Sequence, residues 1–188
     1  MANNTTYKLE EHINDWIKAQ FKKLKLFNQT DFYTESAIPD FLKEALRGRA
    51  KTEKKTNFGK PDFSITKYKV PVVIENKLGT AKLVAETKDG VKFDEKSISG
   101  FAVNGALHYA TGMIASGKYH EVIAIGIAGD SEDTITLKVY YVYGSGEKAF
   151  KLLDEVKTLH FLENEKTFEL FYKDAVLTEE EKHDILIR

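Results

Sequence analysis

The chain has 188 residues, of which 42% are hydrophobic, so it can bury the core of one ordinary domain and is unlike a disordered protein. Cysteine is absent, which excludes disulfides and thiolate metal sites and fits a cytoplasmic protein. No apolar run approaches the ~18–20 residues of a membrane span, and the start lacks a signal-peptide pattern. The net charge of −1 excludes a globally basic nucleic-acid binder.

The first half of the chain predicts a helix, a strand and a second helix, followed by a basic loop and a β-hairpin. Helices are indicated by apolar residues at helical spacing, and the hairpin by two apolar runs around a short polar turn. The predicted ranges are 8–27 (helix), 31–35 (strand), 38–46 (helix), 47–57 (loop), 62–66 and 72–77 (hairpin strands).

The second half predicts a helix between strands. Residues 78–97 read as a polar connection with a turn at Asp89-Gly90, and a helix follows over about 99–117. The runs HEVIAIGIAG and DTITLKVYYVYG are typical of buried strands. A strand–helix–strand crossover in a mixed sheet makes the fold α/β.

The end of the chain carries a helix start. Thr178 followed by three glutamates has the pattern of a capped N-terminus, yet few residues follow it. We expect a domain over 1–177, with 178–188 beginning a helix or linker toward a further domain. The alternative is a short C-terminal helix that docks through Ile185 and Leu186.

Charged residues at the inner end of the hairpin raise a question of function. Side chains alternate along a strand, so Glu75 and Lys77 project from one face while Val72 and Ile74 fill the other. If the turn is centred near residues 68–69, Asp62 lies opposite residues 74–76. Two acids and one base are therefore expected to converge.

Two interpretations fit these three residues. In one, Lys77 forms a cross-strand salt bridge with Asp62 or Glu75, as is common at strand ends. In the other, the two carboxylates hold Mg²⁺ and the lysine assists hydrolysis of a phosphodiester. Spacing alone favours the salt bridge, because charge pairs are common at strand ends. The second interpretation gains weight because these charges follow a strand that is apolar on both faces, where burying an unneeded charge costs free energy.

A basic segment precedes Asp62. Between residues 43 and 60 there are seven Lys and Arg residues against two Glu residues. The segment is either a solvated loop or a patch that contacts nucleic-acid phosphates. The candidates for DNA contact are Arg47, Arg49, Lys51, Lys54, Lys55 and Lys60.

Pro61-Asp62, the thirteen-residue separation and Glu75-Asn76-Lys77 resemble the PD-(D/E)xK nuclease signature. The order of elements over residues 8–145 is similar to the restriction-endonuclease-like αβββαβ core of that family. The stretch AVNGALHYA, residues 102–110, looks like the helix in nuclease domains that open type I restriction R subunits and fused type IIG restriction-methylation enzymes.

The resemblance implies roles for individual residues. It makes Asp62 and Glu75 ligands of Mg²⁺, for which Mn²⁺ can substitute, and Lys77 the catalytic lysine. Glu10 would be an accessory acid or a water-mediated ligand, with Glu11 as the alternative.

The following helix departs from the pattern of the type I nuclease domains. Many of these domains carry Gln-x-x-x-Tyr, whereas this chain keeps Tyr109 but has Gly105 in place of the glutamine. Asn104 or His108 are candidates to substitute for it. For His108, packing between helix and sheet is the alternative interpretation.

The resemblance implies an endonuclease domain that cuts double-stranded DNA. Our first expectation is the N-terminal part of a type I R subunit, with ATP used only by a downstream motor and with modification and specificity subunits as partners. The alternatives are a type IIG restriction-methyltransferase, a stand-alone nuclease and a catalytically silent DNA-binding module on the same fold. We expect the fragment alone to be inactive or weak.

Overall fold

The computed structural model describes residues 6–51, 57–176 and 181. The predicted helix start at Thr178, the docking residues Ile185 and Leu186, and the basic residues Lys54 and Lys55 lie outside the described residues. In the ranges that the structure describes, no helix combines the length and apolar character needed to cross a bilayer.

Besides four short 3₁₀ helices, the described chain contains five α-helices and eight strands. They are α1 (Glu10–Lys23), β1 (Phe32–Thr34), α2 (Asp40–Ala45), β2 (Phe63–Ile65), β3 (Val72–Leu78), β4 (Glu86–Thr87), β5 (Gly90–Val91), α3 (Glu95–Gly100), α4 (Ala102–Ala115), β6 (Val122–Gly129), β7 (Thr136–Val142), β8 (Phe150–Val156) and α5 (Glu165–Tyr172).

Six strands form a mixed central sheet in the order β1-β2-β3-β6-β7-β8. The pair β3–β6 is parallel, and the other neighbours are antiparallel. Because α4 joins the two parallel strands and packs on them, it forms the crossover that parallel strands require. This arrangement confirms the predicted α/β fold class and is consistent with a restriction-endonuclease-like fold.

Helices cover both faces of the sheet. On one face, Ile13, Ile17 and Phe21 of α1 pack with Ile74 in a core that also contains α5. On the other, Val73 packs with a cluster from α2 and α4. The alternation predicted for β3 is therefore confirmed, and the side chains that precede Glu75 are fully buried.

The hairpin has the predicted register. Phe63 pairs with Ile74, and Ile65 pairs with Val72. One step beyond the last pair, Asp62 meets Glu75 at the end of β2. The carboxylates are therefore brought together by strand pairing and by the turn that fixes it.

Three sequence expectations need correction. The single helix expected over 99–117 is two helices, because Phe101 is extended, with φ −130° and ψ 140°. The connection 78–97 contains the β4–β5 hairpin and the start of α3, whose first turn is capped by Asp94. Helix α1 ends at Lys23 rather than residue 27, because Lys25 adopts a left-handed φ of 58°.

Candidate functional site

A cavity of about 480 Å³ opens where the inner end of the hairpin meets α1 and α4. Its lining includes the four residues that the sequence marked as catalytic and Tyr109. The lining side chains belong to Glu10, Asn14, Glu35, Ala50, Lys51, Phe58, Lys60, Asp62, Glu75, Lys77 and Tyr109. Residues from five separate parts of the chain therefore share one polar cavity.

Asp62 and Glu75 are joined by reciprocal hydrogen bonds to the backbone. The Asp62 N–H donates to Glu75 Oε2 at 2.7 Å, and the Asn76 N–H donates to Asp62 Oδ2 at 2.9 Å. The pairing of β2 with β3 ends at Phe63 and Ile74. Beyond that pair, the side-chain carboxylates accept the backbone N–H groups, in place of strand carbonyls. Strand pairing therefore holds both acids in fixed positions.

Burial makes this acidic pair electrostatically costly. Glu75 is only 2% exposed. Burial raises the pKa of Asp62 well above its usual range, and the neighbouring Glu75 carboxylate raises it further. A proton or a cation would relieve the repulsion between the two groups.

Lys51 is the cation that contacts Glu75. Its Nζ forms an ion pair with Glu75 Oε1, and its side chain is 16% exposed. Burial on its own would lower the pKa of Lys51, but the Glu75 carboxylate more than offsets this, and the pKa is raised. Within the described residues, no ion pair within 4.0 Å joins Lys77 to Asp62 or Glu75. The salt bridge of Lys77 that the sequence offered as one interpretation is therefore absent. The lysine that pairs with Glu75 is Lys51.

Glu10 lies in the first turn of α1 and lines the cavity, whereas Glu11 is exposed and does not. Burial raises the pKa of Glu10, while the charge of Lys77 opposes that rise. Glu10 is therefore the acid of this helix that lies near Lys77, as the apolar stripe of α1 predicted.

An asparagine pair ties α1 to the sheet beside the acids. Asn76 Nδ2 donates to Asn14 Oδ1 at 2.6 Å, and Asn76 is fully buried. Asn14 lies four residues after Glu10 and therefore on the same side of the helix. The pair holds α1 at the position that brings Glu10 into the cavity.

The basic residues of segment 43–60 are placed differently from one another. Lys60 lines the cavity, with its Nζ 5.7 Å from the centre of the Phe58 ring. Arg47 is well exposed and lines a neighbouring groove, where it pairs with Glu44 at 3.5 Å. Arg49 packs against Gly112 of α4. The segment therefore combines exposed cations with at least one structural arginine.

Arg49 fastens the basic segment to α4. Its Nη1 donates to the His108 carbonyl at 3.5 Å, and His108 Nε2 lies 3.0 Å from the Arg49 carbonyl oxygen. A Cβ at Gly112 would come within 2.4 Å of Arg49 Cγ. His108 is therefore hydrogen-bonded to the basic segment, and Arg49 is half-buried against α4. Contact of Arg49 with DNA stays a prediction.

Asn104 holds the connection between β3 and α4. Its Oδ1 accepts from the Ala85 N–H at 2.9 Å, and its Nδ2 donates to the carbonyls of Ala85 and Lys92 at 2.8 and 2.7 Å. It does not line the cavity. The structure therefore gives no support to Asn104 as a substitute for the glutamine, because its amide is fully engaged by backbone.

We predict that Asn104→Ala lowers the free energy of unfolding by roughly 2–4 kcal/mol, because three hydrogen bonds are lost at a fully buried side chain. Urea denaturation followed by circular dichroism measures the change. The exposed Asn28 provides a control, since Asn28→Ala should change stability by less than about 0.5 kcal/mol. A loss below 1 kcal/mol for Asn104→Ala would contradict the structural role.

Comparison with known proteins identifies a similar protein. No protein-family model matches the chain, and no solved structure matches it. The chain is similar to a restriction enzyme. The relative is the Type II restriction enzyme and methyltransferase RM.BcgI of Heyndrickxia coagulans, with 38% identity over 149 residues. The match covers 78% of this chain and 23% of the Heyndrickxia protein, so this chain spans less than a quarter of its relative's length.

Four side chains of the cavity were not singled out from the sequence. Asn14 could have been found from its helical spacing to Glu10. Glu35, Ala50 and Phe58 have no local motif, and only the fold brings them to the cavity. For Lys51 the sequence indicated DNA contact, but its partner is Glu75.

Among residues 6–51, 57–176 and 181, no three carboxylate, imidazole or thiolate side chains are arranged as a ready metal cluster. Asp62 and Glu75 nevertheless provide hard oxygen donors at one point of the cavity. Mg²⁺ is commonly bound by one or two carboxylates and keeps several waters, so the donor set fits it.

Proposed function

We propose that this chain is the nuclease part of a restriction-modification enzyme that hydrolyses phosphodiesters of double-stranded DNA. The observation that carries the proposal is the convergence of Asp62, Glu75, Lys77 and Glu10 in one polar cavity at the inner end of the hairpin. The similarity to a type II restriction enzyme and methyltransferase supports the same function.

The relative changes which parent architecture we favour. Its printed name joins restriction and methylation in one type II protein, as in the type IIG alternative, and not in a type I R subunit. We therefore propose a type IIG enzyme, with a methyltransferase in the remaining polypeptide. The ATP-driven motor and the separate modification and specificity subunits belong to the type I expectation, and the relative does not support them.

Asp62 and Glu75 would hold Mg²⁺, or Mn²⁺ in its place. Such an ion polarises a phosphoryl oxygen and makes hydroxide available near neutral pH. The chain's own contribution is to hold two carboxylates at a fixed separation by backbone hydrogen bonds, and to exclude bulk water from Glu75.

Lys77 is proposed as the residue that acts on the reacting groups. It follows Glu75 by two residues on β3, so both side chains project from the same face of the strand into the cavity. An ammonium there would orient the attacking water and stabilise the negative charge that develops on the phosphoryl oxygens. Glu10 lies near Lys77 and would hold the lysine or a water in position.

DNA phosphates are proposed to approach over Lys60 and Arg47. Lys60 is exposed at the cavity, and Arg47 lines the neighbouring groove, which shares Ala50 and Phe58 with the cavity. The two cations therefore mark a path that leads into the acidic site. Lys54 and Lys55 remain candidates on sequence grounds alone.

We predict that Lys60→Ala and Arg47→Ala each weaken binding of a DNA duplex and lower the slope of log affinity against log salt by about 0.9. Fluorescence anisotropy between 50 and 200 mM salt, in Ca²⁺ or EDTA, measures both quantities. Lys22→Ala removes an exposed lysine at the far end of α1 and is the control. Equal slopes in all three variants would contradict this path.

The function is tested with the protein expressed from the complete gene. It should cut supercoiled plasmid DNA in Mg²⁺ and not in EDTA, and Glu75→Gln should remove the cutting. Glutamine keeps the shape of the side chain but provides a weaker metal ligand. Cutting that persists in EDTA or in the Glu75→Gln protein would overturn the proposal.

One observation favours a second candidate, the catalytically silent DNA-binding module. Lys51 already neutralises Glu75, so the pair can be read as a structural ion pair. This candidate predicts DNA binding without any binding of Mg²⁺ at Glu75. Metal titration therefore separates it from the nuclease.

A further inference from the structure

The surroundings of the Lys51 ammonium are unusual for a lysine in a basic loop. Its Nζ lies against the Glu75 carboxylate and 5.4 Å from the centre of the Tyr109 ring. The side chain is largely buried, although the segment that carries it is rich in exposed charge. A carboxylate and an aromatic face together make a site for one cation.

Gly105 makes room for this ammonium. A Cβ at position 105 would lie 2.8 Å from Lys51 Nζ and 3.0 Å from Lys51 Cε. Any side chain at this position of α4 would therefore displace the end of Lys51. The helix lacks a side chain at the point where the lysine enters.

Both oxygens of Glu75 already have partners in this arrangement. Oε1 receives Lys51, and Oε2 accepts the Asp62 N–H. Asp62 and Glu10 are also within electrostatic reach of the ammonium. A divalent cation bound by Asp62 and Glu75 would meet the positive charge of Lys51 at the same carboxylate oxygen.

We infer that Lys51 is a resident cation that positions Glu75 and competes with the divalent metal for it, in the space that Gly105 leaves open. This inference rests on the proposed metal site. It explains how the Asp62 and Glu75 carboxylates can lie side by side in the cavity without a metal: Lys51 supplies the balancing charge until the metal takes its place. Lys51 is thus a positioning residue that sets metal affinity, distinct from Lys77, which would act on the reacting groups.

Removing the ammonium should strengthen metal binding. Lys51→Met keeps an unbranched side chain of similar length, and its thioether can rest on the Tyr109 ring. Because the competitor and its repulsion are lost, we expect the dissociation constant for Mg²⁺ to fall by about tenfold or more. Lys22→Met removes an exposed charge at the far end of α1, away from Glu75, so it should change the constant by less than about twofold.

Gly105→Ala tests the same contact from the helix side. The added methyl group should push the lysine end away from Glu75, so metal affinity should rise in this variant as well. Since both changes act on one contact, the double variant should bind Mg²⁺ no more tightly than the tighter single variant.

Isothermal titration of the 188-residue chain with Mg²⁺ decides the question, with metal-free thermal unfolding as a second readout. Lys51→Met should lower the metal-free Tm, because Glu75 loses its partner, and Mg²⁺ should raise its Tm more than that of the wild type. If the wild type binds Mg²⁺ and Lys51→Met binds it no more tightly, the inference is overturned and the nuclease proposal stands. If neither protein binds metal, both are overturned.

Discussion

Replacing Lys77 by methionine should strongly slow DNA cleavage by the protein expressed from the complete gene while leaving Mg²⁺ affinity and the fold intact. The expected loss in rate is about 10²–10³-fold, the effect of removing one group that stabilises developing charge. Lys77 lines the cavity and forms no ion pair with Asp62 or Glu75 within the described residues. Its removal therefore leaves the contacts of these two carboxylates in place.

Plasmid cleavage at saturating Mg²⁺ measures the rate, and calorimetry measures metal affinity. Lys67→Met is the matched control, because Lys67 is an exposed lysine at the turn end of the same hairpin. Its cleavage rate should stay within about twofold of the wild type. Retained cleavage in Lys77→Met would show that Lys77 is structural.

Replacing Asp62 by asparagine should stabilise the metal-free chain and eliminate its binding of Mg²⁺. Asparagine can still accept the Asn76 N–H through its oxygen, and its amide can donate toward Glu75. The variant loses the repulsion between the Asp62 carboxylate and the buried Glu75 carboxylate, and the gain in free energy of unfolding should be about 0.5–2 kcal/mol. Stability and metal binding therefore change in opposite directions at one residue.

The gain should depend on pH. Folding raises the pKa of Asp62, so between its ordinary value and the raised value the folded chain binds more protons than the unfolded chain. Wild-type stability therefore loses a contribution as pH rises through that window, from about pH 4 upward. Asp62→Asn lacks this loss, so its advantage should be smallest near pH 4 and grow toward neutral pH.

Urea denaturation in EDTA at pH 4, 5.5 and 7 measures this difference. Asp31→Asn is a control, because Asp31 is outside the cavity and accepts the Phe27 N–H in a surface turn. An advantage for Asp62→Asn that shrinks as pH rises would contradict the electrostatic account of the pair.

The hairpin and the positions of its acids can be predicted from the sequence, because they depend on local rules. Strand alternation places Glu75 and Lys77 on one face, and turn position sets the register that brings Asp62 opposite Glu75. The side of α1 on which Glu10 lies can also be predicted, since the apolar stripe of the helix sets its orientation on the sheet. These features need only neighbours along the chain and one strand pairing.

The partner of Glu75 depends on contacts that no local rule supplies. Lys51 reaches Glu75 only because α4 presents Gly105 and Tyr109 beside β3. From sequence alone, a lysine in a basic stretch indicates a solvated or phosphate-binding residue. The contacts of Asn104 could not be predicted for the same reason, because its partners, Ala85 and Lys92, lie in a connection without periodic pattern.

Two elements near the end of the described chain were missed for physical reasons. Strand β8 is an edge strand with exposed Leu152 and a register shift against β7, so its alternation is weak. Helix α5 has only eight residues, and short helices depend on packing rather than on intrinsic propensity. Neither element lines the cavity, so the prediction of the site does not depend on them.

The central claim is that Asp62 and Glu75 together bind a divalent metal. Isothermal titration of the 188-residue chain with Mg²⁺, repeated with Mn²⁺, tests it most directly when wild type and Glu75→Gln are compared. We predict one binding site per wild-type chain and loss of that site in Glu75→Gln. The same binding in both proteins, or none in the wild type and in Lys51→Met, would contradict it.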